Sequence, residues 1–365
     1  MLPELSDIML RQWDRFFPAE KKPNLLTYLG IPGSVQGGTT TFIGFANKQR
    51  RPSFLVKIHR TSDESDRAVN ERYILEKVNG RPDIFGDTVP RLLLCEKIGG
   101  LWFFVQSILD GRPMTADMSS DGLPVIERAR ENMELVSRWL ASLNGVTKEE
   151  DGDQHDLFGS VWRDRIDEFR RIFLPEGRED DFLNEMESAV ASFCKEKCNL
   201  VTRHGDFCRQ NILLANGGNL RKIGVVDWTF SKRRSLPLHD LFFFLSSYFL
   251  QARKHHGIGG FTRALEYTFF DLNDYSRMIR SLVERFCNLD GIDLSTARMQ
   301  FGMFLVEQAV FEYHQSVRSS RNGGLPRFNL YLASLGDKNH QEALKEHLYI
   351  YFFRAFIARR EKFII

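Results

Sequence analysis

Apolar positions change their period along this chain, and the changes divide it into elements. Leu5, Ile8, Met9, Trp13, Phe16 and Phe17 recur at the spacing of one helix face, which predicts a helix over 5–17 closed by Pro18. Strand-forming residues then cluster at 26–31, 39–46 and 54–59, separated by glycines and by the polar stretch 47–52. That pattern predicts an antiparallel meander. A helix fits 63–78, with Thr61 and Ser62 as opening caps, and two further strands fit 91–96 and 101–108 around a Gly99-Gly100 turn.

After Asp110-Gly111 the period becomes helical. Amphipathic patterns occupy 126–143, 162–173, 181–197, 239–254, 274–286, 296–317 and 341–360, interrupted by short strands near 211–215 and 222–226. Strands followed by helices indicate an α+β fold: a small five-stranded antiparallel lobe with one helix, then a large, mainly helical lobe. The expected division is an N-terminal helical extension over 1–24, a small lobe over 25–110 and a large lobe over 111–365. The most apolar run, 241–250, is half a membrane span in length and reads as a buried helix. No signal peptide or transmembrane segment is expected, because the first residues lack a long apolar stretch and a small-residue cleavage site.

Composition narrows the function classes. The 365 residues carry 50 Lys and Arg against 48 Asp and Glu, a net charge of +2, which argues against a dedicated nucleic-acid binder. Five cysteines at loose spacing (95, 194, 198, 208 and 287) do not form a disulfide framework, so a reducing, cytoplasmic compartment is expected. Cys194 and Cys198 lie one helical turn apart, but nothing in the sequence completes a four-ligand metal site with them. Phe is in excess, 31 against 9 Tyr and 5 Trp.

The informative stretch is Arg203-His204-Gly205-Asp206-Phe207-Cys208-Arg209-Gln210-Asn211, followed by Ile223-Gly224-Val225-Val226-Asp227-Trp228. A loop that aims Asp206 at a substrate hydroxyl allows it to accept the proton. Asn211 and Asp227 offer hard oxygen ligands, which suit Mg2+ and, through it, phosphoryl transfer. Upstream, Lys57 is the one charge inside the apolar strand Phe54-Leu55-Val56-Lys57-Ile58 and needs an anionic partner. Glu71 on the next helix is the first candidate, with Glu76 the alternative.

These residues resemble the H-G-D-x-x-x-x-N and hydrophobic-D-W pattern of aminoglycoside phosphotransferases and choline kinases. Those are small-molecule kinases with the bilobal protein-kinase-like fold. The resemblance covers residues 25–245, and the Leu238-His239-Asp240-Leu241 segment is similar to the family's D-L helix start. It implies ATP and Mg2+ as cofactors, Asp206 as catalytic residue, and metal on Asn211 and Asp227. It also implies that Lys57, paired with Glu71, reaches the phosphates. The glycine-rich 33–40 stretch is similar to the family's loose phosphate loop, with Gly37, Gly38 and Thr39 over the phosphates; a glycine-tolerant hairpin turn is the plainer reading. By likeness to the family's E-Y-L-P-G hinge, the backbone of Ser107 and Leu109 would meet adenine.

Two positions depart from the family: Cys208 stands where His or Lys is common, and Arg209 where Pro is common. Arg209 is assigned to transition-state charge on the transferred phosphoryl, against pairing with a surface carboxylate. His204 and Asp240 read as scaffold. The expected partner is a hydroxyl-bearing small molecule such as a sugar, an aminoglycoside-like compound or an amino alcohol. The charge balance weighs against a polycation, although the acidic 149–153 run offers a counterweight, and no A-P-E motif follows Asp227 to suggest a protein acceptor. The terminal helix, with Tyr349, Phe352, Phe353 and Phe356 beside Arg354, Arg359 and Arg360, reads as docked on its lobe, with peripheral membrane contact as the lesser alternative. The rival function is a pseudokinase-like module that binds nucleotide or a partner without turnover.

Overall fold

A computed structural model describes residues 1–31, 39–47, 49–59, 65–118, 122–148, 155–195, 199–217, 220–255, 258–321 and 348–363. The N-terminal pattern forms two helices, α1 (Leu2–Arg11) and the short α2 (Trp13–Phe16), with a break at Gln12. β1 (Leu26–Gly30), β2 (Thr39–Ala46) and β3 (Phe54–His59) follow, then helix α3 (Ser65–Asn79), β4 (Leu92–Ile98) and β5 (Leu101–Ser107). The five strands form an antiparallel sheet in the order β1-β2-β3-β5-β4. The expected caps Thr61 and Ser62 lie outside the described residues.

Side-chain alternation on β3 assigns its two faces. Phe54, Val56 and Ile58 join Leu5, Met9, Trp13 and Phe16 in one buried cluster, so α1 and α2 cover one face of the sheet. The first 24 residues are therefore part of the small unit's core, where an extension was expected. Lys57 and His59 occupy the alternate positions.

The chain packs as two compact units that do not follow chain order. The first unites Met1–Met114 with His204–Asp206 and Gln210–Arg233; the second comprises Thr115–Arg203, Phe207–Arg209 and Arg234–Ile365. The expected boundary at residue 110 assigned the whole motif region to the large lobe. The structure packs most of it with the sheet, because the hairpin β8 (Ile212–Gly217) and β9 (Leu220–Val225) pairs with β6 (Arg112–Pro113) in a three-stranded sheet. β6, β7 (Val201–Arg203) and β10 (Lys232–Ser235) are too short to leave a periodic signal.

The second unit is helical: α4 (Ile126–Thr147), α5 (His155–Phe173), α6 (Arg178–Lys195), α7 (His239–Phe249), α8 (Gly260–Phe269), α9 (Asp274–Asp290), α10 (Leu294–Arg321) and α11 (Leu348–Ala358). Helix α8 was not foreseen; Gly259-Gly260 stands at its start, and only three turns carry its pattern. The excess of Phe fills this unit's core. Phe242, Phe269, Phe356 and Phe363 surround Phe301 with ring centroids 4.7–5.3 Å away. Such contacts add about 0.5–1.5 kcal/mol each beyond area burial. On α11, Tyr349, Phe352, Phe353 and Phe356 are buried and Arg354 pairs with Glu179, while Arg359, the first residue past the helix, pairs with Glu266. Arg360, just beyond the helix, pairs with Glu185. This is the docked arrangement rather than a lipid-facing one. Among the described residues no helix is long and apolar enough to cross a membrane.

Candidate active site

Lys57 is the centre of the site, and every partner lies in the first unit. Its Nζ donates to Glu71 Oε1 at 3.0 Å, to Asp227 Oδ1 at 2.8 Å and to Thr229 Oγ1 at 3.1 Å. Three ammonium donors thus meet three acceptors. Glu76, the alternative partner, pairs instead with Arg72 on the helix surface at 2.8 Å. Lys57 and Glu71 are buried, at 5% and 0% exposure. Burial alone would push the lysine's pKa down, but the Asp227 and Glu71 carboxylates outweigh it and hold the value above that of a free lysine. Glu71 moves the opposite way: burial favours its neutral form, yet Lys57 and then His59 keep its pKa below the ordinary carboxylate value. Removing one partner from such a pair costs about 3–5 kcal/mol, because the other charge stays buried.

Asp227 arrives from the end of β9 in the left-handed region, with φ 66° and ψ 70°. Asp tolerates this conformation better than most residues, though such backbone positions still cost about 1–3 kcal/mol and persist where surrounding structure holds them. Here Trp228, fully buried, donates its indole N–H to the Val225 carbonyl at 3.2 Å, and Thr229 Oγ1 donates to Asp227 Oδ1 at 2.8 Å. The Asp227 side chain keeps 44% exposure, enough to face a ligand. Burial raises its pKa, but the charge and hydrogen bond of Lys57 dominate and keep it well below the usual carboxylate range.

The loop that carries Asp206 closes against the same segment. Val226 N–H donates to the Asn211 carbonyl at 3.0 Å, which joins the start of β8 to the end of β9. Asn211 Nδ2 then donates to the Asp206 carbonyl at 2.9 Å and to Asp206 Oδ2 at 3.0 Å. Asp206 is 5% exposed and oriented by that amide. His204 is scaffold, as expected. The Asp206 N–H points at its Nδ1 at 3.3 Å, which makes Nδ1 an acceptor, so Nε2 carries the proton and donates to the Val226 carbonyl at 3.0 Å. Gly205 has φ 82°, and a Cβ built there would overlap the Phe230 carbonyl oxygen. Only glycine satisfies both demands.

The other expected site residues are placed as follows. Thr39 opens β2 opposite His59, while Gly37 and Gly38 lie outside the described residues, as do the acidic 149–153 run and Cys198. The Ser107 N–H donates to the Arg91 carbonyl at 2.9 Å, so it is already committed, which corrects any reading that gives it to adenine. Leu109 packs over Gly224 of β9, where a Cβ would stand 3.1 Å from its Cδ1. Arg209 belongs to the second unit and donates through Nη1 to the Ser247 carbonyl. That partner is backbone, where the alternative reading supposed a surface carboxylate. Cys208 is buried at 8% exposure. Asp240 is buried in the first turn of α7, 3.8 Å from His239 Nδ1. Among the described residues no group of three or more His, Cys, Asp and Glu forms a metal cluster.

Several contributors were not foreseen. Thr229, His59 and Gln106 all touch the Lys57 network. In the second unit, Arg203 is held by Glu307 through two bonds of 2.5 and 2.6 Å. His59 left one signal, its position two residues beyond Lys57 on the same strand face. Gln106 and Glu307 left none, since nothing in their local spacing marks either for a partner far along the chain.

Comparison with known proteins places this geometry. No curated protein matches the chain. Among solved structures, the aminoglycoside phosphotransferase APH(3'')-Id from Streptomyces rimosus ATCC10970 is 19% identical with a TM-score of 0.46, over 82% of this chain and 96% of that one. The same enzyme in complex with ADP and streptomycin is 18% identical with a TM-score of 0.43, over 83% and 98%. An aminoglycoside-3'-phosphotransferase of type VIII is 17% identical with a TM-score of 0.39, over 77% and 98%. The model of the phosphotransferase enzyme family, APH, matches residues 39–278, a span that begins at Thr39 and contains Lys57, Glu71, Asp206, Asn211 and Asp227. The chain belongs to this phosphotransferase enzyme family and is a phosphotransferase that acts on hydroxyl groups.

Proposed function

We propose that this enzyme transfers the γ-phosphate of ATP, with Mg2+, to a hydroxyl group of a small molecule such as a sugar, an aminoglycoside-like compound or an amino alcohol. The observation that carries the reading is the meeting of Lys57, Glu71 and Asp227 in the same unit as an Asp206 carboxylate oriented by Asn211. Asp206 takes the proton of the acceptor hydroxyl and orients its oxygen. Lys57, fixed by Glu71, binds phosphate oxygens. Gly37, Gly38 and Thr39 bring backbone N–H groups over the phosphates. With its N–H committed, Ser107 contributes its carbonyl to adenine recognition, beside the backbone of Leu109.

The metal-ligand pair suits Mg2+. Asp227 is held ionised, with Oδ1 occupied by Lys57 and Thr229. Asn211 spends its amide N–H on Asp206, and its amide oxygen is a hard donor. When bound, Mg2+ offsets charge on the phosphates and aligns them. Two protein ligands are in keeping with an ion that retains water and takes phosphate oxygens for the rest of its shell.

The test is Asp206→Asn. It should bind Mg-ATP as the wild type does and lose transfer by about 10²–10⁴-fold, the range expected for a positioned base. Turnover at the wild-type rate would remove Asp206 from the chemistry. A panel of hydroxyl compounds read by ADP release identifies the acceptor. ATP binding with no release across a broad panel favours the non-catalytic module.

A further inference from the structure

Glu71 is tied to more than Lys57. Its Oε1 accepts from Lys57 Nζ at 3.0 Å and also from Gln106 Nε2 at 3.0 Å, reaching across from β5. Its Oε2 faces His59 Nε2 of β3 at 3.4 Å. Neither of those last two atoms has a hydrogen-bond partner among the described residues. His59 is 2% exposed and Gln106 is 2% exposed, and the His59 ring stands edge-on to Phe104 at 5.0 Å. Two orphaned polar atoms that face each other in a dry site gain most by bonding to each other, since an unpaired one carries its full desolvation cost.

Lys57 faces a different problem. Its three donors are all engaged, by Glu71, Asp227 and Thr229. A phosphate oxygen can be bound only if one of these is given up. Asp227 and Thr229 both belong to the segment after β9, and Asp227 is the residue that would hold Mg2+ in the proposed function. Glu71 is thus the contact that has to persist.

We propose that His59 is a positioning residue for nucleotide binding: with Gln106 it grips the Glu71 carboxylate from the sheet, so that Lys57 exchanges Asp227 for a phosphate oxygen without losing its place. This rests on the phosphate-binding role proposed for Lys57. Without His59, Oε2 loses the imidazole it faces, the carboxylate is held through Oε1 alone, and the lysine's fixed partner loosens. The imidazole touches no substrate and acts only through Glu71.

The experiment is calorimetric titration of the full-length protein with Mg-ATP in the absence of acceptor. His59→Leu should weaken binding about tenfold, the loss expected for one charge-assisted hydrogen bond. His59→Gln places an amide nitrogen near the position of Nε2 and should bind within about threefold of wild type. In a Lys57→Met background, His59→Leu should produce no further loss, because its effect passes through the lysine. Wild-type affinity in His59→Leu overturns the proposal, as does His59→Gln as weak as His59→Leu, or an undiminished effect in the Lys57→Met background. If His59→Leu shows no cooperative thermal transition, Gln106→Leu makes the same test from β5, against the same Lys57→Met background. Wild-type protein that fails to bind Mg-ATP overturns the functional reading as well. Wild-type binding with an unaltered His59→Leu overturns this proposal alone.

Discussion

Replacing Gly205 by alanine isolates what the loop before Asp206 requires of its backbone. The residue sits at φ 82°, where an L side chain costs about 1–2 kcal/mol. The new methyl would also overlap the Phe230 carbonyl oxygen, a backbone atom that cannot swing away as a side chain would. Overpacking of this kind costs about 1–3 kcal/mol. The sum is about 2–5 kcal/mol, or a fall in Tm of about 3–7 °C for a chain of this size. Relief requires the loop to move, and Asp206 is the next residue, so activity should fall by about 10²-fold even in the folded protein. Gly291→Ala is the control. That glycine caps α9 at φ 68° with nothing within 4 Å of its built Cβ. It bears the conformational cost without the overlap, partly offset by a stiffer unfolded chain, and should lose about 0–1.6 kcal/mol with unchanged turnover. The assay is thermal unfolding beside phosphotransfer. Equal losses in the two variants, or a Gly205→Ala enzyme with wild-type turnover, would refute the reasoning.

Three further outcomes test other parts of the structure. Glu307→Leu leaves Arg203 buried without its bidentate partner and should cost about 3–5 kcal/mol, whereas the double variant Arg203→Met, Glu307→Leu should recover much of that loss in urea unfolding. Asp293 caps α10, accepting from the Thr296 N–H at 2.9 Å, and bonds from Ser295 and Thr296 hold its pKa below the ordinary value. Its contribution of about 1 kcal/mol is present above the unfolded value near pH 4 and is lost as pH falls, so wild type and Asp293→Ala should converge in stability toward pH 2. Burial pushes the thiols of Cys95 and Cys287 up to about 12. Cys287 is 1% exposed and should be labelled by iodoacetamide at pH 8 only after unfolding, while the half-buried Cys95 should react slowly in the native protein, as peptide mapping will show; rapid native labelling of Cys287 would contradict its burial.

Much of the site was legible because its chemistry is written in short stretches. Clusters of strand-forming residues at 26–31, 39–46 and 54–59 located three strands to within a residue or two, and a lysine in an apolar strand announced a need for a counter-charge. The interval from Asp206 to Asn211 is one loop, and Asp227 ends one strand, so local spacing sufficed to find them. The choice between Glu71 and Glu76 was different. Five residues on a helix turn the side chain through about 140°, and only the packing of α3 shows which of the two faces Lys57.

What the residues determined by themselves is the order of elements, the candidates Lys57, Asp206, Asn211 and Asp227, and membership of a phosphotransferase family, because these depend on periodicity and short spacing. What tertiary structure alone decided depends on contacts between residues far apart in sequence. Lys57 meets Asp227 across 170 positions, and Gln106 reaches Glu71 across 35. The N-terminal helices cover the sheet, and the surplus of Phe fills a helical core. No periodicity encodes such contacts, since each is a pairwise match of charge, shape or burial that exists only once the chain has folded.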